Sequence, residues 1–396
     1  MMPIKTLDEA PELKGRRVLV RADFNVALTE DGIGDDTRIR RTLPTIETLR
    51  SRGAIVILCA HLGRPDGSVR QELRMDPVAS HLEELLGSRV HKVDDCIGEE
   101  VKAFLEEREP GDVVLLENTR FHPGETGNDK AFSRKLADLA EVWVHDAFGA
   151  AHRAHASTEG VGHHLPAFAG RLMSGEIEAL REVRDAPQHP FVVLLGGAKV
   201  SDKIGVIERF LEVADTILVG GAMANTFLAA SGVEVEESLV DEDSISEAKR
   251  LIERAGDKLV LPVDAVVAAE AGPDAERKIV SVNDVPRGWK ILDIGPETVK
   301  SFGEKVAQAR NVVWNGPLGA FELEPFAEGT ASMARALARS EATGIVGGGE
   351  TVTSITQLGL AERFTHVSTG GGAFLEFMEG KELPGIRVLE EGGSSE

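Results

Sequence analysis

The chain has 396 residues, 42% of them hydrophobic and 28% charged, with a formal net charge of −22. That length exceeds one ordinary core, so two domains are expected, and so acidic a chain lacks the basic face that a nucleic-acid binder needs. Cys59 and Cys96 are its two cysteines, which excludes a disulfide framework or a Cys-rich zinc site, and no apolar run reaches the ~18 residues of a membrane span. The N-terminal stretch has no apolar export core, so a cytoplasmic protein without membrane partners is expected; no nucleic-acid partner is expected either, and a monomer is the expected state, though no residue pattern fixes it.

In chain order, Arg17 to Ala22 reads as a short buried strand running into Asp23, Phe24 and Asn25. Asp35, Asp36 and Thr37 then cap a helix with Ile39, Leu43, Ile46 and Leu49 on one face, ending at Gly53. Arg38 falls in its first turn, where a cation opposes the helix dipole unless an anion joins it; a salt bridge to Asp35 or Asp36 is the plain alternative. Strand Ala54 to Cys59 runs into His61, Leu62, Gly63 and Arg64, strand Asp112 to Leu116 into Glu117 to His122 with Arg120, and strand Glu141 to Val144 into a segment holding His152, Arg153 and His155. Open α/β sheets place their sites at the carboxyl ends of strands, so four such loops predict one basic rim for a small, multiply anionic ligand. A zinc ion shared by His152 and His155 is disfavoured by the arginine between them.

A helix over 170–184 follows, with no further strand fitting before it, and is read as an interdomain connection that hinges or merely links. Phe191 to Leu195 then opens a second series, in which glycine replaces arginine at the strand ends. This first strand leads through Gly196 and Gly197 to Lys199 and Lys203, four apart and expected on one face of a helix that begins at the ligand. Thr216 to Val219 leads to Gly220 and Gly221, Leu259 to Val263 to Asp264, Asn311 to Trp314 to Asn315, Pro317 and Glu322, Gly344 to Val346 to Gly348, Gly349, Glu350 and Thr351, and His366 to Ser368 to a further glycine triplet. Such turns let backbone N–H groups cradle phosphates, with Glu350 and Thr351 suited to a Mg2+ riding on them. No P-loop and no dinucleotide fingerprint is present.

Eight segments in order, VLVRADFNV, HLGRP, LLENTRFH, DAFGAAHRAH, LLGGAKVSDKI, WNGPLGAFE, GGGET and STGGGA, resemble phosphoglycerate kinases over nearly the whole chain. The resemblance implies two doubly wound α/β domains with mainly parallel sheets, joined by a helix, with a cleft between them: 1–168 for 3-phosphoglycerate, 169–186 as hinge, 187–375 for the nucleotide, and a tail, 376–396, folded back on the first. It implies reversible transfer of the acyl phosphate of 1,3-bisphosphoglycerate to Mg-ADP, in glycolysis and gluconeogenesis. Asp23, Phe24, Asn25, Arg38, His61, Leu62, Gly63, Arg64, Arg120, Arg153 and His155 then meet the glycerate. Gly197, Lys199, Lys203, Gly220, Gly221, Asn315, Pro317, Glu322, Gly348, Gly349, Glu350 and Thr351 meet ATP or ADP, with Glu350 on the metal side, directly or through water, and Arg38 and Lys199 at the transferring group. Ala27, Ala60, Glu350 and Phe374 depart from the residues usual in that family. Another small-molecule acid kinase, or a two-lobed anion binder without chemistry, are the competing expectations.

Overall fold

The structure is a computed structural model that describes residues 4–29 and 32–392. The chain divides into two compact units, Met1–Glu178 with Glu382–Glu396, and Ala179–Lys381. The division falls inside the helix Arg171–Asp185.

In the first unit, six parallel strands form one sheet: β1 (Arg17–Ala22), β2 (Ile55–Cys59), β3 (Val90–Lys92), β4 (Val113–Leu115), β5 (Val142–Asp146) and β6 (Ala167–Ala169). Their order is β3-β4-β2-β1-β5-β6. The central strands are short, β-branched and buried along their length, as a sheet covered on both faces requires. From β1 the chain winds to one side through β2, and from β5 to the other through β6. The ends of β1 and β5 therefore flank the point where winding reverses, the usual place for a ligand in such sheets. β6 corrects the expectation that no strand precedes the connecting helix: Ala-Phe-Ala is too short to show a pattern, and pairing with β5 makes it a strand. β3 was equally silent in the sequence.

The second unit repeats this plan with β7 (Phe191–Leu195), β8 (Thr216–Val219), β9 (Leu259–Val260), β13 (Asn311–Asn315), β14 (Thr343–Gly347) and β15 (His366–Val367), ordered β9-β8-β7-β13-β14-β15. Winding reverses between β7 and β13, so Gly196–Gly197 and Gly316–Pro317 meet at that point. Between them in sequence lie β10 (Asp264–Ala268), β11 (Arg277–Ser281) and β12 (Lys290–Ile294), an antiparallel sheet with β10 in the middle. This sheet was not expected, and it shortens the strand read over 259–263 to two residues, because the chain leaves the parallel sheet at Leu261 to enter the antiparallel one. Among the described residues no helix is long and apolar enough to cross a membrane.

Candidate active site

Around the ends of β1, β2, β4 and β5 the first unit gathers cations. Gly63 links three loops: its N–H donates to Asn25 Oδ1 at 2.9 Å, and its carbonyl accepts from Arg120 Nη1 at 2.9 Å. Asn118 fixes the same loop, accepting from Leu62 N at 3.2 Å and donating to Leu62 O at 2.8 Å. Phe24 and Leu62 have their side chains in the core, so only their backbone is available to a ligand. Arg38 reaches neither Asp35 nor Asp36; its Nη1 lies 2.7 Å from Asp23 Oδ2. Asp35 accepts from the Thr37 amide and Asp36 pairs with Arg40 and His81, so both acids are engaged locally.

Beneath the rim lies a residue that the sequence reading missed. Arg21 is buried; it donates through Nη2 to His61 Nδ1 at 2.9 Å, through Nε to Ser157 Oγ at 2.7 Å, and through Nη1 to the carbonyl of Ala22. A charged residue inside an otherwise apolar strand was the available signal. Glu125, also buried, accepts from the amide and hydroxyl of Ser157 and so stands behind this guanidinium.

The cations oppose one another. Burial and the neighbouring Arg21 and Arg153 bring Arg120 down to about 10, despite some relief from Glu125, and its Nε is buried with no partner among the described residues. Burial, then Arg120, Arg21 and Arg153, lower His155 to about 4, while burial, Arg21 and Arg120 hold His61 well below the usual histidine range. Both imidazoles are therefore neutral at pH 7. Arg64 and Arg153 are exposed on the same loops, and Arg153 Nε donates to His152 Nε2 at 3.1 Å. Residues 151–155 form turns rather than a helix, so His152 and His155 lack the helical spacing that a shared metal was weighed on. A cluster of mutually repelling guanidiniums in a chain of charge −22 matches an anion of several charges.

The second unit supplies backbone where the first supplies arginine. Gly197 N donates to Pro317 O at 2.8 Å and Gly221 N to Leu318 O at 2.9 Å, so the two strand ends are stitched together. A Cβ on Gly196 would lie 2.0 Å from Pro317 O, which only glycine avoids. Two hollows adjoin there, sharing Gly197, Ala198 and Glu350. One, about 670 Å³, is walled by Gly221, Leu239, Leu292 and Pro317, with Glu322 and Lys290 at its edge. The other, about 320 Å³, is lined by Lys199, Lys203, Asn315, Gly348, Gly349 and Thr351, and the helix Gly349–Gln357 begins in it. An apolar groove leading to a glycine-walled helix N-terminus has the form of a base-and-ribose site continued by a phosphate site. Gly220 stands behind the floor against Leu318 and lines neither hollow.

The two lysines do not share a helix face. After β7 the chain bends through residues 196–200 and makes a single 3-10 turn before the helix Ile204–Val213 begins. Lys199 is exposed; Lys203 is buried, and its Nζ donates to Gly196 O at 2.6 Å and Asn315 O at 3.1 Å. Burial brings Lys203 down to about 8, partly countered by Glu350 and Asp202. Thr351 is likewise engaged: its Oγ1 accepts from Gly316 N at 2.7 Å, so it shapes the loop beneath any ion. Phe374 is buried against Gly347, where a Cβ would lie 2.7 Å from its ring.

The phosphoglycerate kinase family model matches residues 7–381. The chain is 56% identical over 383 residues to the phosphoglycerate kinase of Moorella thermoacetica, covering 96% of this chain and 98% of that one. To the enzyme of Rubrobacter xylanophilus it is 56% identical over 380 residues, covering 96% and 97%. The structure of phosphoglycerate kinase from Coxiella burnetii superposes with a TM-score of 0.90 at 40% identity, covering 99% of this chain and all of that one.

Proposed function

Because the chain belongs to the phosphoglycerate kinase family, a family of glycolytic phosphotransferases, we propose that it passes the acyl phosphate of 1,3-bisphosphoglycerate to Mg-ADP through a division of labour between its two units. The observation that carries this reading is the cluster of Arg21, Arg38, Arg64, Arg120 and Arg153 around two neutral histidines in the first unit, together with a glycine-walled hollow of nucleotide size in the second.

In this reading the guanidiniums hold the phosphate and carboxyl ends of the glycerate. Asn25 and Gly63 keep the loop in place, and Asp23 orients Arg38. His61 and His155, being uncharged, donate or accept hydrogen bonds without exchanging protons near pH 7. In the second unit the groove takes base and ribose, with Glu322 at the ribose hydroxyls, while Lys199 and the amides opening the helix Gly349–Gln357 take the phosphates. Lys203 fixes Gly196 and Asn315 in the loops that form the phosphate hollow, and its remaining N–H is available to a phosphate oxygen. Glu350 and Asp202, exposed carboxylates bordering that hollow, fit a hard cation carried in on the nucleotide. Mg2+ there supplies neutralisation of charge on the phosphate oxygens.

No general base is required, because the acceptor is already an anion in either direction. Catalysis then rests on in-line positioning and charge neutralisation, with Arg38 serving the glycerate and Lys199 the nucleotide phosphates. The reverse direction, used in gluconeogenesis, needs the same contacts. A cytoplasmic location agrees with two free, buried cysteines. A coupled assay tests the activity: ADP should form from Mg-ATP only when 3-phosphoglycerate is added, and ADP formation independent of it would reject the assignment.

A further inference from the structure

The region behind Arg120 holds a second group of ligand-bearing side chains that phosphoryl transfer does not use. Asp95, Cys96 and His122 each offer one ligand atom, and the three atoms lie within 4.8 Å of one another. Asp95 and Cys96 follow β3, and His122 follows the turn after β4, so adjacent strands bring them together. His122 Nε2 lies 2.7 Å from Asp95 Oδ1, and its ring rests on Phe132 with centroids 5.1 Å apart. The Asp95 carbonyl accepts from the Glu117 amide at 3.3 Å, tying the two segments together. Cys96 is fully buried, whereas Asp95 is exposed and His122 half-buried, so an ion would enter from their side. Asp95 also borders a hollow of about 610 Å³ lined by Asp94, Glu99 and Glu100 as well as Lys92, which pairs with Asp94.

We infer that Asp95, Cys96 and His122 form a binding site for a borderline divalent transition-metal ion, Zn2+ or its analogue Co2+, with three protein ligands and a fourth position open to water. The donor set decides the class of ion. A thiolate and an imidazole disfavour Mg2+ and Ca2+, which want oxygen alone, and one carboxylate completes a set common for zinc. Ligand bonds of about 2.0–2.3 Å place the ligand atoms roughly 3.3–3.8 Å apart in a tetrahedron, so small side-chain adjustments suffice. Asp95 and His122 separate slightly to admit the ion. On binding, the Cys96 thiol gives its proton to solvent and a sulfur–metal bond replaces the S–H bond, the proton that His122 held toward Asp95 passes to its other ring nitrogen by way of solvent, and the two negative ligands balance the 2+ charge.

The test is a Co2+ titration of the reduced full-length chain, read by absorption. The wild type should take up one equivalent with a thiolate-to-cobalt charge-transfer band that stoichiometric Zn2+ removes. Cys96→Ser should abolish the band, and Cys59→Ser should keep it. Asp95→Asn and His122→Asn, at exposed and half-buried positions, should each weaken Zn2+ binding at least tenfold while the circular dichroism spectrum is unchanged. A wild type without the band overturns the inference, as does a band that depends on Cys59, or Zn2+ affinity unaltered in both Asp95→Asn and His122→Asn. These readouts are independent of phosphoryl transfer.

Discussion

Arg21 Nη2 lies 2.9 Å from His61 Nδ1, and because a guanidinium can only donate, His61 must accept there and carry its proton on Nε2. A buried arginine thus fixes the tautomer of a rim histidine, while burial together with that arginine keeps the ring uncharged. The rim imidazoles should accordingly be silent to pH across the neutral range: by nuclear magnetic resonance, His61 and His155 should show no titration between about pH 6 and 8. Arg21→Met should release the His61 tautomer, with burial and Arg120 still keeping the ring neutral, and weaken 3-phosphoglycerate binding by roughly 5- to 150-fold, the equivalent of one lost buried charged hydrogen bond. A His61 that titrates normally in the wild type counts against this arrangement.

Lys199 and Lys203 should separate in experiment. Lys199, exposed beside the phosphate hollow, is expected to cost on the order of 10² to 10³ in kcat when changed to alanine, with little change in Tm or in KM for 3-phosphoglycerate. Lys203→Met leaves the carbonyls of Gly196 and Asn315 without their donor and should destabilise the fold by about 1–3 kcal/mol as well as weaken Mg-ADP binding. Thermal melts of the two variants beside steady-state kinetics make the comparison; equal Tm losses would remove the distinction.

Asp146 gives a pH signature in stability. It sits at the end of β5 and accepts from the amides of Leu172 and Met173 at 2.9 and 3.2 Å, capping the helix Arg171–Asp185. Burial pushes it up to about 7 from 3.8, against hydrogen bonds from Thr45, Met173 and Leu172. A raised folded value means that the native state keeps its proton longer. The associated stability is full below pH 3.8 and is lost as pH rises through 7. Asp146→Asn should flatten that slope, the difference from wild type growing by up to about 4 kcal/mol across this window, at about 1.4 kcal/mol per pK unit. Denaturant melts in a pH series measure it, and parallel curves would contradict the raised value.

The buried ring of Phe374 fills the space over Gly347. Phe374→Ser should therefore cost about 3–5 kcal/mol, as for emptying a large buried aromatic site. Urea melts check this, and a change below about 1 kcal/mol would mean that the surroundings close over the gap.

The sequence made most of the parallel strands, though neither β3 nor β6, and their glycine or arginine termini visible, because short apolar runs followed by such loops have few other readings. Arg21 stayed hidden because a strand buried on both faces gives no alternation from which to place one charged side chain. The relation between Lys199 and Lys203 was misread since helical spacing applies only where a helix is continuous, and a bend and a 3-10 turn intervene. Arg38 pairs with Asp23, fifteen residues away, rather than with the acids beside it, because the end of β1 and the helix after it converge at the sheet's winding reversal. β11, with its largely exposed Arg-Lys-Ile-Val-Ser, carried neither the apolar run nor the alternation that marks a strand.

The central claim is direct transfer between a glycerate held by arginines and a nucleotide held by glycine loops. Rapid-quench single turnovers with ATP labelled in the γ-phosphate test it most directly. The label should appear in 1,3-bisphosphoglycerate without passing through protein or inorganic phosphate, and its rate of appearance should drop by at least a hundredfold in Arg38→Ala and in Lys199→Ala, in line with loss of a preorganised donor (~10²–10³). Label found first on the protein, released as inorganic phosphate, or transferred at the wild-type rate in both variants would contradict the account.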